Sequence, residues 1–199
     1  MAITAEDVKK LREKTGAGFM DCKAALAEAN GDFEEAVDIL RKKGISVATK
    51  REGKTASQGI IASYIHAGDQ VGVLVEVNCE TDFVARTEAF REFAHNVAMQ
   101  VVAMQPRWVS REEVPADAMD REREVLTAQA KAEGKPDHIV EKMVEGRLKK
   151  FYEEYCLLDQ KYIRDDSMTI NDLLLDVVGK TGEKVAVRRF VRFQVGEEL

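Results

Sequence analysis

No run of this sequence is long and apolar enough to cross a bilayer as a helix. The first residues place Glu6 and Asp7 where an apolar signal core would lie, so neither a secretory signal nor a transit peptide is expected. Cysteine is scarce. Cys22, Cys79 and Cys156 are 3 in number, far apart and without a CxxC pair. That argues against a disulfide framework and a zinc site, and reads as reduced thiols in a cytoplasmic protein. Proline is equally rare, and its 3 residues mark breaks at Pro106, Pro115 and Pro136. Positive charge is not in excess: 30 Lys and Arg face 36 Asp and Glu, for a net −6. A general nucleic-acid binder is therefore not the first expectation, and no direct nucleic-acid or membrane partner is indicated. What the chain does have is 45% hydrophobic and 33% charged residues over 199 positions. This fits one domain, or a small and a medium one, with a real core under a solvated surface.

Taken in order, residues 1–45 read as a compact three-helix unit. Thr4 and Asp7 have capping-box spacing, and Val8 and Leu11 give the first helix its apolar stripe. The glycines of Thr15 to Gly18 end it. Phe19 opens a second helix, with Cys22, Ala25, Leu26 and Ala29 inward. Asp32 can cap a third, with Phe33, Ala36, Val37 and Leu40 inward and Gly44 as its stop. Residues 46–58 are polar, with three basic side chains, and read as a linker with room for some helix. The remainder, 59–199, reads as one core domain. Ile60 to His66 and Val71 to Val77 alternate at period two around the turn Ala67 to Gln70, a hairpin. Val84 to Met104 reads as one amphipathic helix with Phe90, Phe93, Ala94, Val97, Val101 and Met104 on its stripe. Two charged helices, about 116–132 and from Pro136 to Tyr155, are joined by Glu133 to Asp137 as a helical hairpin. Residues 157–163 read as an irregular or extended crossing. Ser167 to Val178 reads as a last helix stopped by Gly179, and Lys184 to Val195 as a strand. On that strand Val185, Val187, Val191, Phe193 and Val195 mark one face, and Phe190 lies on the other. The fold class is α+β, with three antiparallel strands packed with helices.

The usual signatures of covalent chemistry are missing. Gly16-Ala17-Gly18 lacks a third glycine and follows a helix, so it is not a dinucleotide loop. Gly179-Lys180-Thr181 looks like the tail of a phosphate loop, but Leu174 stands where the first glycine belongs and the helix-then-strand order is reversed. His66, His95 and His138 share neither a helix face nor a ligand spacing, and no serine sits in a nucleophile elbow. Cys79 reads as a packed cysteine at a strand end. Arg188 to Phe193 mixes basic and aromatic residues as an RNA-binding strand does. The acidic total favours the other reading, an edge strand protected by charge. An outward Phe190 is a candidate subunit contact. Asp82-Phe83 sits at the junction of strand and helix and supports two readings. In one, Thr81 or Asp82 caps the helix and Phe83 is its first core residue, in phase with Phe90, Val97 and Val101. In the other, Phe83 faces a partner as an aromatic hot spot.

Leu11 to Leu26, followed by Asn30-Gly31-Asp32, resembles the N-terminal domain of the elongation factor Ts family. Val75-Glu-Val-Asn-Cys-Glu-Thr-Asp-Phe-Val-Ala-Arg86 resembles that family's core signature. Pro106 to Ser110, Glu145 to Lys150 and Val187 to Phe190 extend the similarity nearly to the end, in the pattern of the short bacterial class. The resemblance implies a head similar to a ubiquitin-associated domain. It implies a guanine nucleotide exchange factor for GDP-bound elongation factor Tu, with no covalent chemistry and no cofactor. It places Thr81, Asp82, Phe83 and Val84 in the segment that enters the partner beside its magnesium site. It places Phe19, where many members carry methionine, and Met20 in the head's contact loop. It further implies a homodimer formed through the three-stranded sheets. An adaptor of the ubiquitin-associated or RNA-binding kind, without exchange activity, is the alternative.

Overall fold

The first helix, α1 (Ala5–Thr15), starts where its capping pattern places it. In the computed structural model Thr4 Oγ1 accepts from Asp7 N at 3.2 Å, and the Asp7 carboxylate accepts from Thr4 N at 3.0 Å. Two of the amides at this helix end are thus satisfied locally. The structure describes residues 3–134 and 136–198. Met1, Ala2, Lys135 and Leu199 lie outside these, and with Lys135 goes part of the expected turn between the two long helices.

The head continues with α2 (Phe19–Glu28) and α3 (Phe33–Arg51). Asn30 and Gly31 turn the chain between them at positive φ, 52° and 89°. Asp32 then caps α3, accepting from Glu35 N at 2.9 Å. Val8, Leu11, Cys22, Ala25, Leu26, Ala29 and Ala36 form the head's core. These are the inward positions the helical period gives.

A three-stranded antiparallel sheet follows, ordered β1 (Gln58–Ile65), β2 (Val71–Cys79), β5 (Val185–Gln194). Val73, Val75 and Val77 are buried on one face of β2, as their alternation requires. The chain divides into two compact units. One holds the residues up to Ser63, Leu74–Ala98 and Asp172–Arg189; the other holds Tyr64–Val73, Met99–Asn171 and the residues from Phe190.

In the first unit, two glycines expected to stop helices do something else. α3 does not end at Gly44 but runs on to Arg51, through half of the segment read as a linker. The last helix, α8 (Ile170–Thr181), does not end at Gly179. The reason is close approach: a Cβ on Gly44 would lie 2.7 Å from the Leu175 carbonyl oxygen, and one on Gly179 would lie 3.1 Å from Gly44 Cα. Only hydrogen side chains let α3 and α8 cross at this distance. Arg41 pairs with Asp172 beside the crossing. The sequence shows each glycine alone, whereas their meaning lies in the pair.

In the second unit, α6 (Ala116–Ala132) and α7 (Asp137–Tyr155) form the expected helical hairpin around Leu126, Ala130, Val140, Val144 and Leu148. Gly146 sits exposed in the middle of α7 with nothing within 4 Å of its missing Cβ. Gly146→Ala is therefore expected to stabilise the protein by about 1 kcal/mol, through helix propensity alone. Thermal melting should show a rise of about 2–4 °C. A short hairpin, β3 (Lys161–Tyr162) with β4 (Asp165–Thr169), occupies the stretch read as a crossing and the start of the last helix. Ser167 is not helical, because Asp165 Oδ1 accepts from both Ser167 N at 3.0 Å and Ser167 Oγ at 2.6 Å, an Asx-type turn. Two buried amides in this unit are fully employed. Gln100 donates to Gln160 Oε1 and to Lys161 O and accepts from Ile163 N, at 3.2, 3.0 and 3.0 Å.

Candidate functional site

The helix expected over Val84 to Met104 is two helices, and the break decides where Phe83 points. α4 (Asp82–Ala85) is four residues long, and α5 (Glu88–Met104) starts afresh. Each has its own threonine. Thr81 Oγ1 accepts from Val84 N at 3.4 Å, and Thr87 Oγ1 accepts from Phe90 N at 3.4 Å. The interruption at Arg86-Thr87 cancels the phase that would carry Phe83 onto the stripe of Phe90, Val97 and Val101. Those three are buried, whereas Phe83 is 78% exposed. Val84 and Ala85 turn inward instead, at 9% and 5%. Met104, expected inward on α5, is exposed.

So short a helix does not hold itself together, since nucleation outweighs the one or two hydrogen bonds it gains. Its surroundings fix it. From one side, the Cys79 thiol donates to Thr81 O at 3.1 Å. From another, Glu183, in the corner between α8 and β5, accepts from Thr81 N at 3.0 Å and Thr81 Oγ1 at 2.7 Å. On the outer surface, Arg86 donates to Asp82 Oδ2 at 2.7 Å. The Asp82 side chain is half exposed. The result is an aromatic side chain held outward by a turn whose other members are anchored.

The cysteines do not offer chemistry. All three are buried and free. Burial, and then the Glu183 carboxylate, push the Cys79 thiol up from its ordinary range. Burial, with Asp159 next, pushes Cys156 up to about 11. At pH 8 only about one Cys156 in a thousand is thiolate, the form that reacts. The native protein is expected to resist iodoacetamide at pH 8 and to take up three equivalents only when denatured. Rapid native labelling of Cys79 or Cys156 would contradict this. Among the described residues no group of His, Cys, Asp and Glu is placed to hold a metal ion. Among them, too, no helix is long and apolar enough to cross a membrane.

The other expected positions lie apart from this turn. Phe19 and Met20 open α2 and are exposed, at 47% and 70%. Phe190 is half-buried on β5. The alternation of that strand slips at Arg188-Arg189, where two successive side chains are exposed. Val185 and Val187 are consequently buried while Val191, Phe193 and Val195 are exposed, so the five do not share one environment. On β1 and β2, Ile61, Ile65 and Leu74 are also exposed. Glu183 carries no signal in the sequence. Glu183 acts on a residue 102 positions away and no local pattern announces it.

An aromatic residue held in solvent by a braced turn is suited to contact another macromolecule. Comparison with known proteins gives the kind. The family model described as Elongation factor TS matches residues 2–197. The chain is similar over 197 residues, 99% of its length, to the elongation factor Ts of Moorella thermoacetica, at 58% identity and covering 97% of that protein. It is 55% identical to that of Caldanaerobacter subterraneus over 98% of the relative's length, and 54% identical to that of Fervidobacterium nodosum over its whole length. The chain belongs to the elongation factor Ts family and is a translation elongation factor.

Proposed function

We propose that this protein binds elongation factor Tu in its GDP form and speeds GDP release, so that GTP can follow. The observation that carries the reading is Phe83, 78% exposed beside the buried Val84 and Ala85. Bound GDP is held by contacts to its phosphates and by magnesium. A wedge that shifts the elements around that ion weakens both. Linkage requires that GDP weaken the protein's hold on Tu by the same factor. Phe83 supplies the apolar wedge. Asp82, tied to Arg86, faces the partner beside it; Thr81 and Val84 anchor the turn. Phe19 and Met20 of the head make a second contact on the GTPase domain of Tu. No covalent step is involved, and the protein works in the cytoplasm. The test is release of fluorescent GDP from Tu: strong acceleration is expected at substoichiometric protein, and an unchanged rate would overturn the reading.

The same proposal includes a homodimer. Ile61, Ile65, Leu74, Val191 and Phe193 leave apolar side chains exposed on all three strands of the sheet, more than a monomer's strands need show. Phe190, half-buried on the opposite face of β5, is a separate candidate contact. Phe193→Glu places a charge in such a contact at a cost of about 3 kcal/mol, a loss of association of more than a hundredfold. Sedimentation at micromolar concentration should show wild type as a dimer and Phe193→Glu as a monomer. Identical sedimentation of the two would contradict the dimer.

A further inference from the structure

We propose that Glu183 is the positioning residue of the Phe83 turn, holding Thr81 from outside the motif and so aiming the aromatic ring. The inference rests on the reading of Phe83 as the partner-facing wedge.

Comparison with α1 shows what is unusual. There, the capping box is local: the residue three positions after Thr4 is Asp7, which accepts from the Thr4 amide. In α4, the residue three positions after Thr81 is Val84, which has no acceptor and is needed as an apolar anchor. The amide of Thr81 would be left without its partner. Glu183 supplies it, one oxygen accepting from Thr81 N at 3.0 Å and the other from Thr81 Oγ1 at 2.7 Å. The box is thus completed by an acid 102 residues away in sequence. Because Thr81 Oγ1 donates to Glu183, its lone pair is left to accept from Val84 N, which sets the first turn of α4.

The two corners hold each other reciprocally. Glu80, immediately before Thr81, accepts from Lys184 N at 2.7 Å, immediately after Glu183. The second Glu80 oxygen accepts from Arg51 at 3.2 Å, at the end of α3. Lys184 Nζ in turn donates to Glu52 O at 2.5 Å. Two carboxylates, each reaching across to the other corner's backbone, fix both the position and the rotation of the turn. Charge-assisted bonds of this kind are short and directional. A four-residue helix has no internal reserve to replace them.

The experiment uses the full-length protein with Glu183→Gln, Glu183→Ala, Phe83→Ala and the double variant Glu183→Ala/Phe83→Ala. GDP release from Tu, amide hydrogen exchange at Thr81 to Val84, and melting temperature are measured for each. Glu183→Ala is expected to slow release about 10- to 100-fold, the scale of a small misplacement of a working group, and to speed exchange at the Thr81 amide. Glu183→Gln keeps an acceptor for that amide and should fall between wild type and Ala in both readouts. The double variant should release GDP no more slowly than Phe83→Ala alone, because Glu183 acts through Phe83. Additive losses, or a Thr81 amide as protected in Glu183→Ala as in wild type, would overturn the proposal. If Phe83→Ala itself releases GDP at the wild-type rate, the wedge reading fails. Amide protection then still decides whether Glu183 holds the turn.

Discussion

Phe83→Ala should slow partner-stimulated GDP release about 10- to 150-fold, equivalent to the roughly 1.5–3 kcal/mol gained when an exposed aromatic side chain becomes buried. The same substitution should leave the melting temperature within about 1 °C of wild type, since exposed side chains away from special features contribute little to stability. The combination is the useful part. A phenylalanine in a core costs about 3–5 kcal/mol when truncated, and Phe90, fully buried, belongs to that class. Phe83 is seven residues earlier in the chain and 78% exposed. Activity lost without stability would place Phe83's energy in the complex rather than in the free protein. Stopped-flow release and thermal melting on the same preparations make the comparison. A drop of several degrees for Phe83→Ala would assign the side chain to the fold instead.

The second large effect concerns Gly44. In an ordinary helix, Gly→Ala gains about 1 kcal/mol. At Gly44 the new Cβ would lie 2.7 Å from a backbone carbonyl oxygen of α8, which has no rotamer by which to move aside. Overpacking of this kind costs about 1–3 kcal/mol. Gly44→Ala is therefore expected to melt below Gly146→Ala by an amount corresponding to about 1–3 kcal/mol, although both change the same atom in a helix interior. Gly179→Ala, whose Cβ would lie 3.1 Å from Gly44 Cα, should fall between them. Differential scanning calorimetry orders the three. Equal stabilisation by all three would mean that α3 and α8 do not cross as described.

How much of this was legible in the sequence follows from the range over which each signal acts. Capping at Thr4 and Asp32, the hairpin of β1 and β2, and the helical hairpin are local patterns, and each appears where its residues place it. The inward stripe of α5 is right from Phe90 to Val101. The failures are interactions between distant segments. Gly44 and Gly179 carry the signature of helix stops when read singly, and only the crossing of α3 with α8 shows why they are glycine. Phe83 was in phase with a core stripe only while Val84 to Met104 was one helix. The second cap, Thr87 on Phe90 N, ends that phase. It was present in the sequence as a threonine three residues before Phe90. β5 reads as a single apolar face only if alternation runs unbroken through Arg188-Arg189, where the burial pattern slips. Glu183 had no local signal at all, since its partner is 102 positions away.

A braced turn that drives GDP out of its site must act after the two proteins have met, and this separates a wedge from an anchor. The measurement is the rate of GDP release from Tu as protein concentration is raised to saturation, for wild type and Phe83→Ala. A wedge acts in the step that expels the nucleotide, so the plateau rate of Phe83→Ala should be lower and no concentration should restore it. A Phe83→Ala curve that reaches the wild-type plateau, merely at higher concentration, would contradict the account: Phe83 would then hold the partner without moving its nucleotide.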